Sequence, residues 1–82
     1  MPKISLDFPL EIERHMRKRI RQRTEREFDE VLRIVAAWID TQPDAPDGDW
    51  WKDFGDFMLC GTGAYPKTIL DAGMEPFGTE LE

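Results

Sequence analysis

The sequence predicts an α+β fold in which an N-terminal strand is followed by two helices and then by a C-terminal segment, rich in Gly and aromatic residues, that forms short strands. Three observations indicate this order. Residues 3–8 alternate apolar and polar side chains, residues 10–41 contain neither Gly nor Pro, and residues 50–82 hold short apolar runs separated by Gly. Alternation with a period of two is typical of a half-buried strand, and short apolar runs between turn residues are typical of several short strands.

The N-terminal strand is predicted over residues 3–8, directly before Pro9. Proline has the backbone angle that the first turn of a helix needs, so a helix is expected to begin there. Side chains alternate across a strand, so the apolar and polar residues fall on opposite faces. The apolar face is Ile4, Leu6 and Phe8, and the polar face is Lys3, Ser5 and Asp7.

Two helices are predicted, over roughly residues 9–22 and 25–41. A single straight helix is disfavoured because its two apolar stripes would point about 105° apart, at 100° per residue. Thr24 and Glu27 have the spacing of a capping box, which favours a helix start between the stripes. The first stripe is Ile12, Met16 and Ile20. The second stripe, which with Ile4 and Leu6 is expected to form a core or dimer interface, is Phe28, Val31, Leu32, Val35, Trp38 and Ile39.

Three regions follow from this pattern: a strand-helix-helix dimerisation and candidate DNA-binding region at 1–41, a linker at 42–49, and an acidic segment at 50–82. The last segment contains six of the nine aromatic residues, so it is expected to fold, either onto its own core or onto a partner. Aromatic side chains are common anchors in protein interfaces. The candidate partner-binding residues, which could equally belong to the core, are Trp50, Trp51, Phe54 and Phe57.

Charge is distributed unevenly along this acidic chain, whose net charge is -6. Residues 14–26 hold seven of the eleven basic residues, whereas residues 42–82 hold two basic and nine acidic residues. The stripe Arg14, Arg17, Lys18 and Arg21 is either a solvated face, partly neutralised by acidic residues four positions away, or a surface for nucleic acid or another acidic partner. The C-terminal balance suits a basic protein partner.

The composition excludes several classes of protein. One cysteine, Cys60, forms no disulfide within the chain, and with the single histidine, His15, it cannot supply the ligands of a zinc site. No pairing of nucleophile and base is evident, so neither an enzyme nor a cofactor or metal is expected. No apolar run is long enough to span a membrane and no signal peptide is evident, so the sequence predicts a cytoplasmic protein.

The order strand, proline, helix, turn, helix resembles the ribbon-helix-helix family of repressors and antitoxins. The residues that carry the resemblance are Ile4 to Pro9, the stripe from Ile12 to Ile20, and the run from Thr24 to Val35. The resemblance implies a homodimer whose paired strands enter the DNA major groove, with a phosphate bound at the start of the second helix. The implied DNA-binding residues are Lys3, Ser5, Asp7, Arg23, Thr24 and Arg26.

Two functions are therefore expected as alternatives. The first is a small dimeric DNA-binding regulator of the antitoxin type, whose C-terminal half binds a basic toxin. The second is an acidic interaction or inhibitor protein, such as a phage carries, that does not bind DNA. Such a protein would occlude a nucleic-acid-acting enzyme with its acidic surface.

Overall fold

The computed structural model describes residues 3–42 and 44–81, and it shows two helices followed by a four-stranded sheet. Pro43, in the linker region, lies outside the described residues. The helices are α1 (Leu10–Arg23) and α2 (Phe28–Ile39), and the strands are β1 (Asp49–Asp53), β2 (Phe57–Thr62), β3 (Tyr65–Asp71) and β4 (Thr79–Glu80).

The break between the helices is made by Thr24. Its backbone is extended, and its hydroxyl donates to the Ile20 carbonyl at 3.0 Å and accepts from the Arg26 backbone N–H at 3.0 Å. The short polar side chain thus ends α1 and closes the turn. Helix α2 begins at Phe28, after Glu27, and has no side-chain cap. The expected capping box is therefore wrong, because Thr24 bonds within the turn and not to α2.

The N-terminal segment is not a strand. Residues 3–9 form neither helix nor strand, and the Ser5 N–H donates to the Ala64 carbonyl at 2.8 Å. Ile4 is only 5% exposed, and Leu6 and Phe8 pack against the chain's own core. The predicted order is therefore wrong: within an α+β fold, the helices come first and the sheet follows them. The alternation reflects the packing of Ile4, Leu6 and Phe8 on the core, which does not require pairing with another strand.

The sheet has the strand order β3-β2-β1-β4. Strand β2 runs antiparallel to both β1 and β3, and β4 lies parallel to β1. The pairing of β2 with β3 is irregular between Cys60 and Gly61, where a bulge shifts the register. Bulges bend and twist a strand locally.

One core joins the helices to the sheet. Helix α1 packs on β3 and on α2, and apolar side chains of both helices join those of the sheet in a core that contains residues from both halves of the chain. Four aromatic rings contact one another at one end: Trp38–Trp50 are tilted at a centroid distance of 6.0 Å, Trp38–Phe54 meet edge to face at 5.6 Å, and Phe54–Phe57 stack at 5.0 Å. The buried core residues are Ile4, Met16, Ile20, Phe28, Val31, Val35, Ile39, Trp50, Phe57, Leu59 and Ile69. Across the described residues, neither helix combines the length and the apolar character that crossing a membrane requires.

Candidate protein-binding face

The sheet has a second face that the helices reach only at its β3 edge, where His15 of α1 contacts Thr68. Side chains alternate between the faces of a strand, and the core residues Trp50 and Leu59 point toward the helices. Their neighbours along the strands point the other way, onto what we call the outer face. Paired residues share a face, so two rows cross the outer face: Glu80, Trp51, Cys60 and Thr68 in one, and Asp53, Met58 and Leu70 in the other.

The centre of the outer face is apolar. Met58 is 4% exposed, yet it does not belong to the core that the helices share with the sheet. Trp51, Cys60 and Leu70 are half-buried around it. Strand β2 is therefore apolar on both faces, as the continuous run Phe57 to Cys60 indicates. That run is the signal from which the outer face could have been inferred.

A groove of about 430 Å³ lies on this face, beside the segment that precedes β4. Its apolar lining includes Cys60, Leu70, Pro76 and Phe77. Phe77 is 87% exposed, so most of its ring is in contact with water. Sequence reasoning did not identify Phe77 or Leu70 as site residues, because neither stands in a motif.

Exposed carboxylates surround the apolar centre. They belong to Asp49, Asp53, Glu75 and Glu80, and Asp49 and Glu75 also line the groove. The Asp49 carboxylate accepts a hydrogen bond from the Thr62 hydroxyl at 2.6 Å, which fixes its position. Among the described residues that line the groove, Lys67 is the only cation. This arrangement creates a negative potential that favours a cationic partner.

The four predicted partner-binding aromatics do not form one surface. Trp50 and Phe57 are fully buried, and Phe54 packs between Trp38 and Phe57. Trp51 alone lies on the outer face, because it pairs with Cys60. The alternation of strand β1 thus divides the adjacent tryptophans between the core and the outer face.

The predicted DNA-binding residues fall into two separate groups. Lys3 donates to the Asp40 carbonyl at 3.3 Å, directly after the end of α2, while Ser5 accepts from the Asp7 N–H at 3.1 Å. Thr24 and Arg26 lie before the start of α2. The twelve residues of α2 separate the two groups by about 18 Å, at 1.5 Å per residue.

Two arginines of the second group are engaged within the chain. Arg23 donates to the Ile69 carbonyl at 3.0 Å. Arg26 forms ion pairs with Asp56 at 2.9 Å and with Glu30 at 2.8 Å. The hydrogen bond from Arg26 lowers the pKa of Asp56, and the same bond raises the pKa of Arg26. These side chains hold the α1–α2 turn against the sheet.

The predicted interface residues all contribute to the chain's own core. Ile4 and four residues of α2 are buried in this core, and the other three predicted interface residues are half-buried and pack against it. The buried α2 residues are Phe28, Val31, Val35 and Ile39, and the half-buried ones are Leu6, Leu32 and Trp38.

The basic stripe on α1 is divided between engaged and exposed cations. Arg17 lies 3.6 Å from Glu13, and its guanidinium stacks 4.0 Å from the centroid of the Phe28 ring. Arg14, Lys18 and Arg21 are exposed, and none of them belongs to the ion pairs found among residues 3–42 and 44–81. Exposed lysines and arginines on a helix are most simply a solvated surface.

His15 and Cys60 are closer in space than their sequence positions suggest. His15 Nε2 lies 2.9 Å from the Thr68 hydroxyl, and Thr68 pairs with Cys60 across the strands. Burial, followed by the nearby charges of Arg19, Arg23 and Lys18, lowers the pKa of His15. Burial raises the pKa of the Cys60 thiol, which disfavours the reactive thiolate. No group of three His, Cys, Asp or Glu side chains in the described parts of the chain is placed to hold a metal ion.

Comparison with known proteins gives no match: no protein-family model, no curated protein and no solved structure matches this chain. The case for a function therefore comes from the geometry and the charge of the outer face.

Proposed function

We propose that this protein is an acidic interaction protein that binds a basic, nucleic-acid-acting protein through the outer face of its sheet and blocks that partner's nucleic-acid site. The observation that carries the proposal is the apolar centre of the outer face, where the half-buried side chains of Trp51, Cys60 and Leu70 surround the buried Met58 within a ring of exposed carboxylates. Protein interfaces combine an apolar centre with a polar rim. A rim of carboxylates selects a partner rich in Lys and Arg, as the surfaces that bind nucleic acid are.

A second copy of this chain fits the outer face poorly. In a two-fold dimer the same surface meets itself. The carboxylates of Asp49, Asp53, Glu75 and Glu80 would then face those of the other copy, and like charges across an interface are unfavourable. A different protein of opposite charge is the occupant that this face favours.

The operator-binding alternative has no equivalent geometric support. It requires a free N-terminal strand that pairs with a second chain and inserts into DNA. Here the segment carrying Lys3, Ser5 and Asp7 is held by the Ser5–Ala64 hydrogen bond and by the burial of Ile4. We also propose a cytoplasmic location, because the single cysteine, Cys60, is a free thiol.

The test is capture of the partner from extracts of the native cells, followed by competition with nucleic acid. The immobilised protein is expected to retain a basic nucleic-acid-binding protein, and the free protein is expected to displace DNA or RNA from that partner in a gel-shift assay. Trp51→Ser is expected to weaken binding at least tenfold, because a central tryptophan is worth about 2 kcal/mol or more in an interface.

Arg14→Ser is the matched control, because it alters an exposed residue of α1 and not the sheet. It is expected to bind as the wild type does. Equal binding by Trp51→Ser and the wild type would contradict the proposal, and so would a captured partner that still binds nucleic acid within the complex.

A further inference from the structure

The groove on the outer face has the size and chemistry of a site for a side chain of the partner. Its volume of about 430 Å³ lies within the range of about 300–1,000 Å³ that ligand pockets occupy. The apolar lining from Cys60, Leu70 and Pro76 suits an apolar group. Such a group loses its contact with water on entry, which is the main source of favourable binding energy.

Charge at the groove restricts what can lie beside that apolar group. The carboxylates of Asp49 and Glu75 line the groove, and both residues are exposed. An acidic neighbour in the ligand would be repelled there, whereas Lys or Arg would form an ion pair. The hydrogen bond from the Thr62 hydroxyl holds the Asp49 carboxylate in place before any ligand arrives.

Phe77 is the feature that the chain's own packing leaves unexplained. Its ring lines the groove, yet it is 87% exposed. A ligand in the groove would cover this ring, and an aromatic or cationic group can stack on its face. The ring and the two carboxylates together favour a ligand with an aromatic residue next to basic residues.

We infer that the groove binds a peptide segment of the partner, with an aromatic side chain inserted between Leu70 and Phe77 and flanking Lys or Arg residues paired with Asp49 and Glu75. The inference rests on the proposed function and specifies the chemistry of the partner at the same face. It predicts that a short peptide of this composition binds without the rest of the partner.

The test is an NMR titration of the isotope-labelled full chain with three capped peptides: Lys-Lys-Phe-Lys-Lys, Lys-Lys-Ala-Lys-Lys and Glu-Glu-Phe-Glu-Glu. The first is expected to shift the amide signals of Cys60, Leu70 and Phe77 in a saturable manner. The other two are expected to bind about tenfold more weakly or not at all, because the alanine peptide lacks the aromatic ring and the glutamate peptide lacks the basic residues. Equal shifts with the alanine peptide, or no saturable shift with the phenylalanine peptide, would overturn the inference.

Phe77→Ala is expected to lower the affinity for the Lys-Lys-Phe-Lys-Lys peptide about tenfold, as the loss of an interface anchor does. Leu10→Ala is the matched control, because Leu10 is also exposed, at 61%, but lies at the start of α1. Unchanged peptide binding by Phe77→Ala would also overturn the inference. If no peptide binds in a saturable manner while Trp51→Ser still weakens capture of the partner, the inference about the groove is wrong and the proposed function is retained. If capture does not depend on Trp51, the proposed function falls, whatever the peptides do.

Discussion

Replacing Trp50 with alanine is expected to destabilise the protein by about 3–5 kcal/mol, the usual cost of deleting a buried aromatic side chain. Trp50 is fully buried, its ring lies 6.0 Å from that of Trp38, and its indole N–H donates to the Gly63 carbonyl at 2.8 Å. An 82-residue domain has a total stability of about 4–12 kcal/mol. Trp50→Ala is therefore expected to remove about a quarter or more of the total stability, which urea denaturation followed by circular dichroism would show as a lower transition midpoint.

Trp51→Ala is the matched control for this substitution, because it removes the same side chain from the next position of β1. Trp51 is half-buried on the outer face and makes no contribution to the core shared with the helices. Trp51→Ala is expected to lower the free energy of unfolding by about 1 kcal/mol, which is typical of single substitutions. A Trp50→Ala variant as stable as Trp51→Ala would show that the orientation of β1 described above is wrong.

Replacing Gly61 with alanine is expected to cost about 3 kcal/mol, the upper end of what overpacking a core usually costs. A Cβ atom at this position would lie 2.5 Å from Cζ2 of Trp50, 2.7 Å from the Tyr65 carbonyl oxygen and 2.9 Å from Cα of Pro66. Two of these atoms belong to the backbone of β3 and cannot move aside alone. The added methyl group therefore either displaces the Trp50 ring or separates the paired strands β2 and β3. Thermal unfolding measures the loss.

Gly73 provides the control for Gly61, since a Cβ built there meets nothing within 4 Å. Gly73→Ala is expected to change the stability by less than about 0.5 kcal/mol, as surface substitutions usually do. If Gly61→Ala were tolerated as well as Gly73→Ala, the close approach of Trp50 to β2 would be refuted.

The helical part of the fold was accessible from the sequence. The stripes that contain Met16 and Val31 follow helical spacing, and the angle between them requires the break that the structure has at Thr24. The way in which Thr24 makes the break was not accessible. A threonine hydroxyl can cap a helix or close a turn, and the choice depends on the path of the following residues.

The N-terminal segment shows why a pattern of period two is ambiguous. Ile4, Leu6 and Phe8 occupy alternate positions because their side chains pack on a core. The sequence does not show whether that core belongs to the same chain or to a second one. Pairing in a ribbon between two chains and packing on the chain's own sheet give the same pattern. The sheet that decides between them is formed by residues far away in the sequence.

The outer face could be inferred only in part. Residues 42–82 hold nine acidic and two basic side chains, and this excess already favoured a cationic partner. Alternation along β1 divides Trp50 and Trp51 between two faces, but which of them faces the core depends on the register of β1 with β2, which the sequence leaves open. The groove residues Leu70 and Phe77 come together only because the segment before β4 returns to the sheet.

Binding of the partner at the outer face is tested most directly by methyl NMR of the full chain, with and without the captured basic partner. If the partner binds the outer face, the methyl signals of Met58 and Leu70 are expected to shift on binding, while that of Leu10 at the start of α1 is expected to stay unchanged. If the Leu10 signal shifted while those of Met58 and Leu70 stayed unchanged, the partner would be bound on the helical side, which would contradict binding at the outer face.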